Sequence, residues 1–165
     1  MNAPVLLPLD GSPLAEAAIP YAIDQARQQH APIVLMRVLS QLPVMYLSEP
    51  GFVWTPQYQE MLDAEREEAH TYIETKAREL QSAGLDVTVR WEMGDPTAAI
   101  LAVAKDLQPA MIVLATHGRS GVGRWFFGSV AEGVLRHATM PVLLIRGDAS
   151  GAKAPEQMTT AATAP

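Results

Sequence analysis

Short apolar runs alternate with longer amphipathic stretches along most of this chain. Five runs rich in Val, Ile and Leu recur, at residues 4–9 (PVLLPL), 32–38 (PIVLMRV), 85–91 (LDVTVRW), 110–115 (AMIVLA) and 141–146 (PVLLIR). Four of them are almost continuously apolar, the pattern of strands covered on both faces. The third alternates, with Val87 and Val89 on one side and Thr88 and Arg90 on the other. That alternation predicts a strand at the edge of the sheet.

Helical stretches lie between the runs, and several have readable starts. Ser12-Pro13, Thr55-Pro56 and Asp95-Pro96 each place a capping side chain before a proline at the first helical position, where the missing N–H costs nothing. Ser129, with Glu132 three residues on, predicts a capping box. The stretch 13–29 is alanine-rich and suits close packing on a sheet, and Pro20 inside it predicts a bend or break. The stretch 56–82 carries an apolar stripe of Tyr58, Met61, Leu62, Ala69, Tyr72, Ile73, Ala77 and Leu80. Its acidic residues, Glu60, Asp63, Glu67, Glu68, Glu74 and Glu79, read as a solvated face, and Gly84 ends it. A further helix runs from Pro96 to Asp106 or Leu107.

The result is β-α-β-α-β-α-β-α-β, with connections too long for hairpins. Right-handed crossovers place such strands in one open parallel sheet with helices on both faces, an α/β, Rossmann-like class. The pattern does not fix the strand order. The stretch 39–54, with Pro43, Pro50 and Gly51, is long enough to suggest a lid or a contact. Residues 147–165, rich in Ala, Thr, Pro and Gly, read as a disordered tail behind a domain spanning 1–146.

Composition narrows the function classes. The chain of 165 residues has no cysteine, which excludes disulfides, thiol chemistry and cysteine-ligated metal centres. A formal net charge of −6 argues against a diffuse nucleic-acid surface. The start of the chain lacks a basic lead, and no run nears the roughly 20 apolar residues of a membrane span. A cytoplasmic protein with no membrane and no nucleic-acid partner is expected.

In open parallel sheets, ligands bind beyond the carboxyl ends of the strands, near a switch in strand order. The richest segment there is 115–138, ATHGRSGVGRWFFGSVAEGVLRHA. Gly118, Gly121, Gly123 and Gly128 follow a buried strand and lead into a helix. Such glycines let backbone N–H groups turn onto a ligand, and Ser129 adds a hydroxyl at a helix amino terminus. Between Ala115 and Arg146 four arginines face one glutamate, so an acidic chain turns locally basic here. This fits a phosphate, although a structural loop with solvated arginines explains the same residues. Neither GxxxxGK[ST] nor GxGxxG is present. After the first strand stands Asp10-Gly11-Ser12, whose carboxylate suits a ribose or base contact, or Mg²⁺ through water; it equally suits a turn that orients Ser12.

At this point the chain resembles a single-domain universal stress protein. The resemblance rests on PLDGS at 8–12, the second strand IVLMRV, GDP at 94–96, and THGRSGVGRWFFGS running into VAEGVLRHATMPVLLI, covering about residues 3–146. It implies a five-stranded parallel sheet of order 3-2-1-4-5 and a homodimer paired through the last strand, from Val142 to Ile145. Nucleotide-binding members carry glycine, two residues, glycine, nine residues, then glycine and Ser or Thr. Gly118, Gly128 and Ser129 match, while the first glycine falls on Ala115. The resemblance implies ATP with Mg²⁺ as ligand: Asp10 at the adenosine, the Val38 backbone at the adenine, and Gly118, Gly128, Ser129 and Val130 at the phosphates, with Arg119 and Ser120 near them; Pro8, Ala115 and His117 complete the candidate binding set. Asp10 is also the one metal-binding candidate.

No residue set argues for fast chemistry. The histidines at 30, 70, 117 and 137 are scattered, and His117 serves either as a base or, more simply, to orient its loop. No catalytic residue is assigned, so any ATP hydrolysis is expected to be slow. The expectation is an ATP-binding regulatory homodimer of the stress response; the alternative is a member without nucleotide that acts as a protein-interaction module. Trp125, Phe126 and Phe127 either bury their loop or, with Met45, Tyr46, Phe52 and Trp54, form a contact for a protein partner. The fifth run has no strand after it, and an unpaired apolar edge favours a two-fold pairing.

Overall fold

The computed structural model describes residues 2–39, 55–117 and 128–147. In chain order the elements are β1 (Val5–Pro8), α1 (Pro13–Glu16), α2 (Ile19–Gln29), β2 (Ile33–Leu39), α3 (Pro56–Ser82), β3 (Val87–Met93), α4 (Pro96–Leu107), β4 (Met111–His117), α5 (Ser129–His137) and β5 (Val142–Gly147). All strand pairs are parallel, in the order β3-β2-β1-β4-β5. The alternating third strand is indeed an edge strand.

The near-continuous apolar runs are explained by two cores. Val5, Leu7, Ile33, Leu35 and Val113 face one side and pack with Ala22 and Ala26 of α2 and with Ile73, Ala77 and Leu80 of α3. Leu6, Val34, Met36, Ile112 and Leu114 face the other and pack with Ile100, Val103 and Ala104 of α4 and Val134 of α5. Neighbours along a strand point to opposite faces, so a sheet covered twice needs apolar residues at every position.

The three proline-led starts form as the residues dictate. The side chains of Ser12, Thr55 and Asp95 accept the N–H of Ala15, Tyr58 and Ala98, and a proline opens each helix. Pro20 lies in the first turn of α2 and divides the first helical stretch into α1 and α2. Three expectations are corrected. Ser129 is not a cap: Gly128 holds that place, with no side-chain cap bond, and Glu132 pairs with Arg136 at 2.6 Å. Met61, placed on the apolar stripe of α3, is 55% exposed, because only the central and C-terminal turns of that helix have buried residues. Among the described residues no helix is long and apolar enough to cross a membrane. Gly147, assigned to the tail, is instead the last residue of β5 and is buried against α1, where an added Cβ would lie 2.6 Å from Leu14 Cδ1. Residues 148–165, and the loop 40–54 with its aromatic residues, lie outside the described residues.

Candidate functional site

The sheet opens at its carboxyl edge because β1 stops early. Its pairing with β4 is confined to Val5↔Met111 and Leu6↔Ile112, whereas β4 stays paired with β5 as far as His117↔Gly147. The cause is Pro8. Val5 and Leu9 donate their N–H groups to Pro32 and Met36 on the β2 side. Backbone direction alternates along a strand, so Pro8 faces β4 and has no N–H to donate there. Beyond it lies a notch between the ends of β2 and β4, at the point where strand order reverses from β1-β2-β3 to β4-β5.

Several of the sequence-predicted residues border this notch. Val38 lies two residues past the last β1–β2 rung, Pro8↔Met36. Ala115 lies three past the last β1–β4 rung, paired with Ile145 on its far side. The chain leaving β1 makes a tight turn in which Asp10 Oδ1 accepts the Ser12 N–H at 2.8 Å and Gly11 adopts φ +85°. The carboxylate therefore does orient Ser12, whose Oγ accepts the Ala15 N–H at 3.1 Å. Asp10 nevertheless remains exposed, with its second oxygen free of any bond among the described residues. Both readings of Asp10 are compatible in one geometry.

Gly128, Ser129 and Val130 form the start of α5, on the same edge of the sheet. No side chain among the described residues caps it, so its first N–H groups lack an intrahelical partner and carry the positive end of the helix dipole. Gly128 has φ −51°, and a Cβ built on it would meet no described atom within 4 Å. Neither strain nor crowding within the described chain calls for glycine there. His117 closes β4, but its side chain, together with Gly118, Arg119 and Ser120, lies outside the described residues.

Two polar groups at this edge escaped the sequence reading. Arg37, on β2, donates from Nη1 to the Leu9 carbonyl at 3.3 Å, and its Nε is buried without a partner. Thr116 is 3% exposed, and its Oγ1 has no partner among the described residues. The available signal was polarity breaking an apolar strand run: Arg37 within IVLMRV, and Thr116 directly after IVLA.

Beside Arg37 lies a small polar network. Tyr72 Oη donates to Glu16 Oε1 at 3.1 Å, and Lys76 Nζ lies 3.3 Å from Glu16 Oε2 and 3.4 Å from Glu79. Burial, followed by the charge and hydrogen bond of Glu16, pushes the Tyr72 phenol well above its ordinary range. For Lys76, burial lowers the pKa, but Glu16 and Glu79 outweigh it and the net direction is upward. Among the described residues no group of three His, Asp or Glu could hold a metal ion. Asp10 is thus a lone carboxylate, sufficient for contact with a water-coordinated Mg²⁺ but not for a protein-built metal cage.

The parallel order β3-β2-β1-β4-β5, with helices on both faces and a switch in strand order at β1, defines an α/β protein of the Rossmann-like class. The chain belongs to the universal stress protein family, whose model matches residues 1–146. It is 27% identical over 144 residues to universal stress protein YxiE of Bacillus subtilis, covering 86% of this chain and 97% of that protein. With universal stress protein MJ0531 of Methanocaldococcus jannaschii it shares 30% identity over 142 residues, covering 86% and 81%. Among solved structures, protein MJ0577 superposes with a TM-score of 0.70 at 24% identity, covering 89% of this chain and 97% of that one. A universal stress protein from Archaeoglobus fulgidus, solved in complex with dAMP, superposes at 0.58 with 19% identity, covering 88% and 98%. One solved in complex with cAMP superposes at 0.56, also with 19% identity, covering 87% and 95%.

Proposed function

We propose that this protein binds an adenine nucleotide, ATP with Mg²⁺, in the notch between β2 and β4, and acts as a cytoplasmic regulatory homodimer of the stress response. The observation that carries the reading is the start of α5: N–H groups with no side-chain cap among the described residues, beside a glycine whose added Cβ would meet no described atom within 4 Å. Such a terminus favours phosphate. The Val38 backbone then takes the adenine edge, Asp10 the ribose, and Gly118, Arg119, Ser120, Gly128, Ser129 and Val130 the phosphates. Structures of the same fold in complex with dAMP and cAMP support an adenine ligand. A bound nucleotide brings its own Mg²⁺, with Asp10 reaching the ion through water. One carboxylate does not assemble an efficient in-line displacement, so hydrolysis is slow or absent. The homodimer forms through the outer edge of β5, from Val142 to Ile145.

A second reading, a protein-interaction module without nucleotide, is favoured by one residue: Ala115 places a methyl group where the family motif has glycine. Calorimetric titration of nucleotide-stripped protein with ATP and Mg²⁺ separates the two. Micromolar binding by the parent, lost in Asp10→Ala and in Gly128→Val, is expected. The Cβ of the glycine substitution meets no described atom, and circular dichroism of each variant separates lost binding from a lost fold. No heat from a parent that is folded by circular dichroism would reject the nucleotide reading in favour of the interaction module.

A further inference from the structure

Arg37 is a cation in the middle of an apolar strand, with no carboxylate within ion-pair distance among the described residues. A charge so placed costs free energy unless it is paired or has a function. Its one described hydrogen bond, from Nη1 to Leu9 O, is made at the very position where the β1–β2 ladder ends. In a parallel ladder the N–H and C=O of one residue face the same neighbouring strand, and they bond residues two apart on it. Leu9 N–H donates to Met36 O at 2.8 Å, so the natural donor for Leu9 O is the N–H of Val38. The guanidinium takes that carbonyl instead. It also lies beneath the Asp10–Gly11 turn, since a Cβ on Gly11 would sit 3.6 Å from Nη1 and 3.9 Å from Nη2.

We propose that Arg37 is a positioning residue that terminates the β1–β2 ladder by capping the Leu9 carbonyl, and thereby leaves the Val38 backbone donor free for the purine edge of a ligand. The purine half of this inference rests on the nucleotide reading above; the ladder half does not. The side chain replaces one backbone rung, so the chain can turn away at Asp10 without leaving Leu9 O unsatisfied. Without the guanidinium, Leu9 O would recruit Val38 N–H, the ladder would gain a rung, and the donor would be consumed internally. Gly11 allows the turn through its φ of +85°, which L side chains rarely adopt, while a Cβ there would make only ordinary contact with the guanidinium.

The test uses the full chain, with Arg37→Met to remove the donor and Arg37→Lys to restore a cationic donor. Hydrogen exchange resolved by NMR on ligand-free protein reads the ladder directly. In the parent, the Val38 amide should exchange at least about tenfold faster than that of Met36, because one is unpaired and the other is in the sheet. Arg37→Met should slow Val38 exchange toward the rate of Met36, while a general loosening of the fold would speed both. Arg37→Lys should return Val38 to fast exchange. Titration with ATP and with inorganic tripolyphosphate reads the ligand half. Arg37→Met should weaken ATP about tenfold, the worth of one hydrogen bond, and leave tripolyphosphate unchanged. Slow Val38 exchange in the ligand-free parent, or unchanged exchange in Arg37→Met, overturns the proposal. So does an equal loss for both anions. A parent that binds no ATP yet shows the exchange pattern would reject the nucleotide reading and leave the role of Arg37 in ending the ladder supported.

Discussion

Gly133 sits inside α5 where that helix crosses α4, and replacing it by alanine sets two effects of similar size against each other. A Cβ at this position would lie 2.7 Å from Thr97 Cγ2, 3.1 Å from its Oγ1 and 3.5 Å from its Cβ. Carbon pairs are comfortable at about 3.5–4.0 Å, so the new methyl falls short by roughly 1 Å. Rotating Thr97 gives little relief, because the branched side chain exchanges one close atom for the other. Overpacking of this kind costs about 1–3 kcal/mol. Against it stands the helix preference for alanine over glycine, about 0.8–1.0 kcal/mol. The net for Gly133→Ala is a loss of about 1 kcal/mol, or a fall in Tm of about 3 °C for a domain of this size. In a Thr97→Ala background the obstructing atoms are gone, and Gly133→Ala should instead stabilise by nearly 1 kcal/mol. The assay is urea unfolding of all four proteins followed by circular dichroism, at one fixed concentration because the apparent stability of a protein that assembles depends on it. A Gly133→Ala change that stabilises equally in both backgrounds would refute the packing argument.

Other consequences can be checked separately. Tyr72 has its pKa raised in the folded state, so its stabilising contribution is complete below the ordinary tyrosine value of about 10 and is lost as pH rises through the higher folded value. The urea midpoint should therefore fall more steeply above pH 10 in the parent than in Tyr72→Phe, and absorbance at 295 nm should lose its latest-titrating phenol in that variant. Asp95→Ala removes the cap that accepts the Ala98 N–H at 2.8 Å and should cost about 1 kcal/mol in urea unfolding, whereas Asp95→Asn should cost little. A charge at Leu144 should give monomers or aggregates by light scattering. Because Leu144 also packs against the second core, circular dichroism must first show the variant folded, and a folded, stable dimer would reject β5 as the interface.

The elements themselves were readable because their causes are local. Proline with a capping side chain marks a helix start through contacts three residues apart, and all three such starts formed. Two-sided burial shows directly as unbroken apolar runs. The failures have physical reasons too. Ser129 satisfies a capping pattern, but Gly128 before it already adopts the cap conformation, which moves the serine into the first turn. Met61 obeys the helical period of α3, yet no buried residue lies in the N-terminal turns of that helix. The order 3-2-1-4-5 came from the family resemblance, since apolar runs do not state their neighbours. The part played by Arg37 was illegible for a related reason. Its meaning depends on Leu9, far away in sequence and brought near only by the strand register.

That register also sets a timetable for synthesis. Of the five described strands β1 is made before the other four, yet it is the middle strand of the finished sheet: its partner β2 follows closely in the chain, through Val5↔Ile33, but its other edge waits for Ile112 of β4. Roughly a hundred residues must be added in between, about 5–20 s at ordinary translation rates of 5–20 residues per second. Throughout that interval the β4-facing edge of Val5, Leu6 and Leu7 lacks its partner strand, and β3 joins the other side of the sheet only near its end. Pro8, which faces β4 where the β1–β4 pairing ends, also withholds a donor from that waiting edge. One residue thus both shortens the β1–β4 ladder and removes a donor from the edge that pairs late.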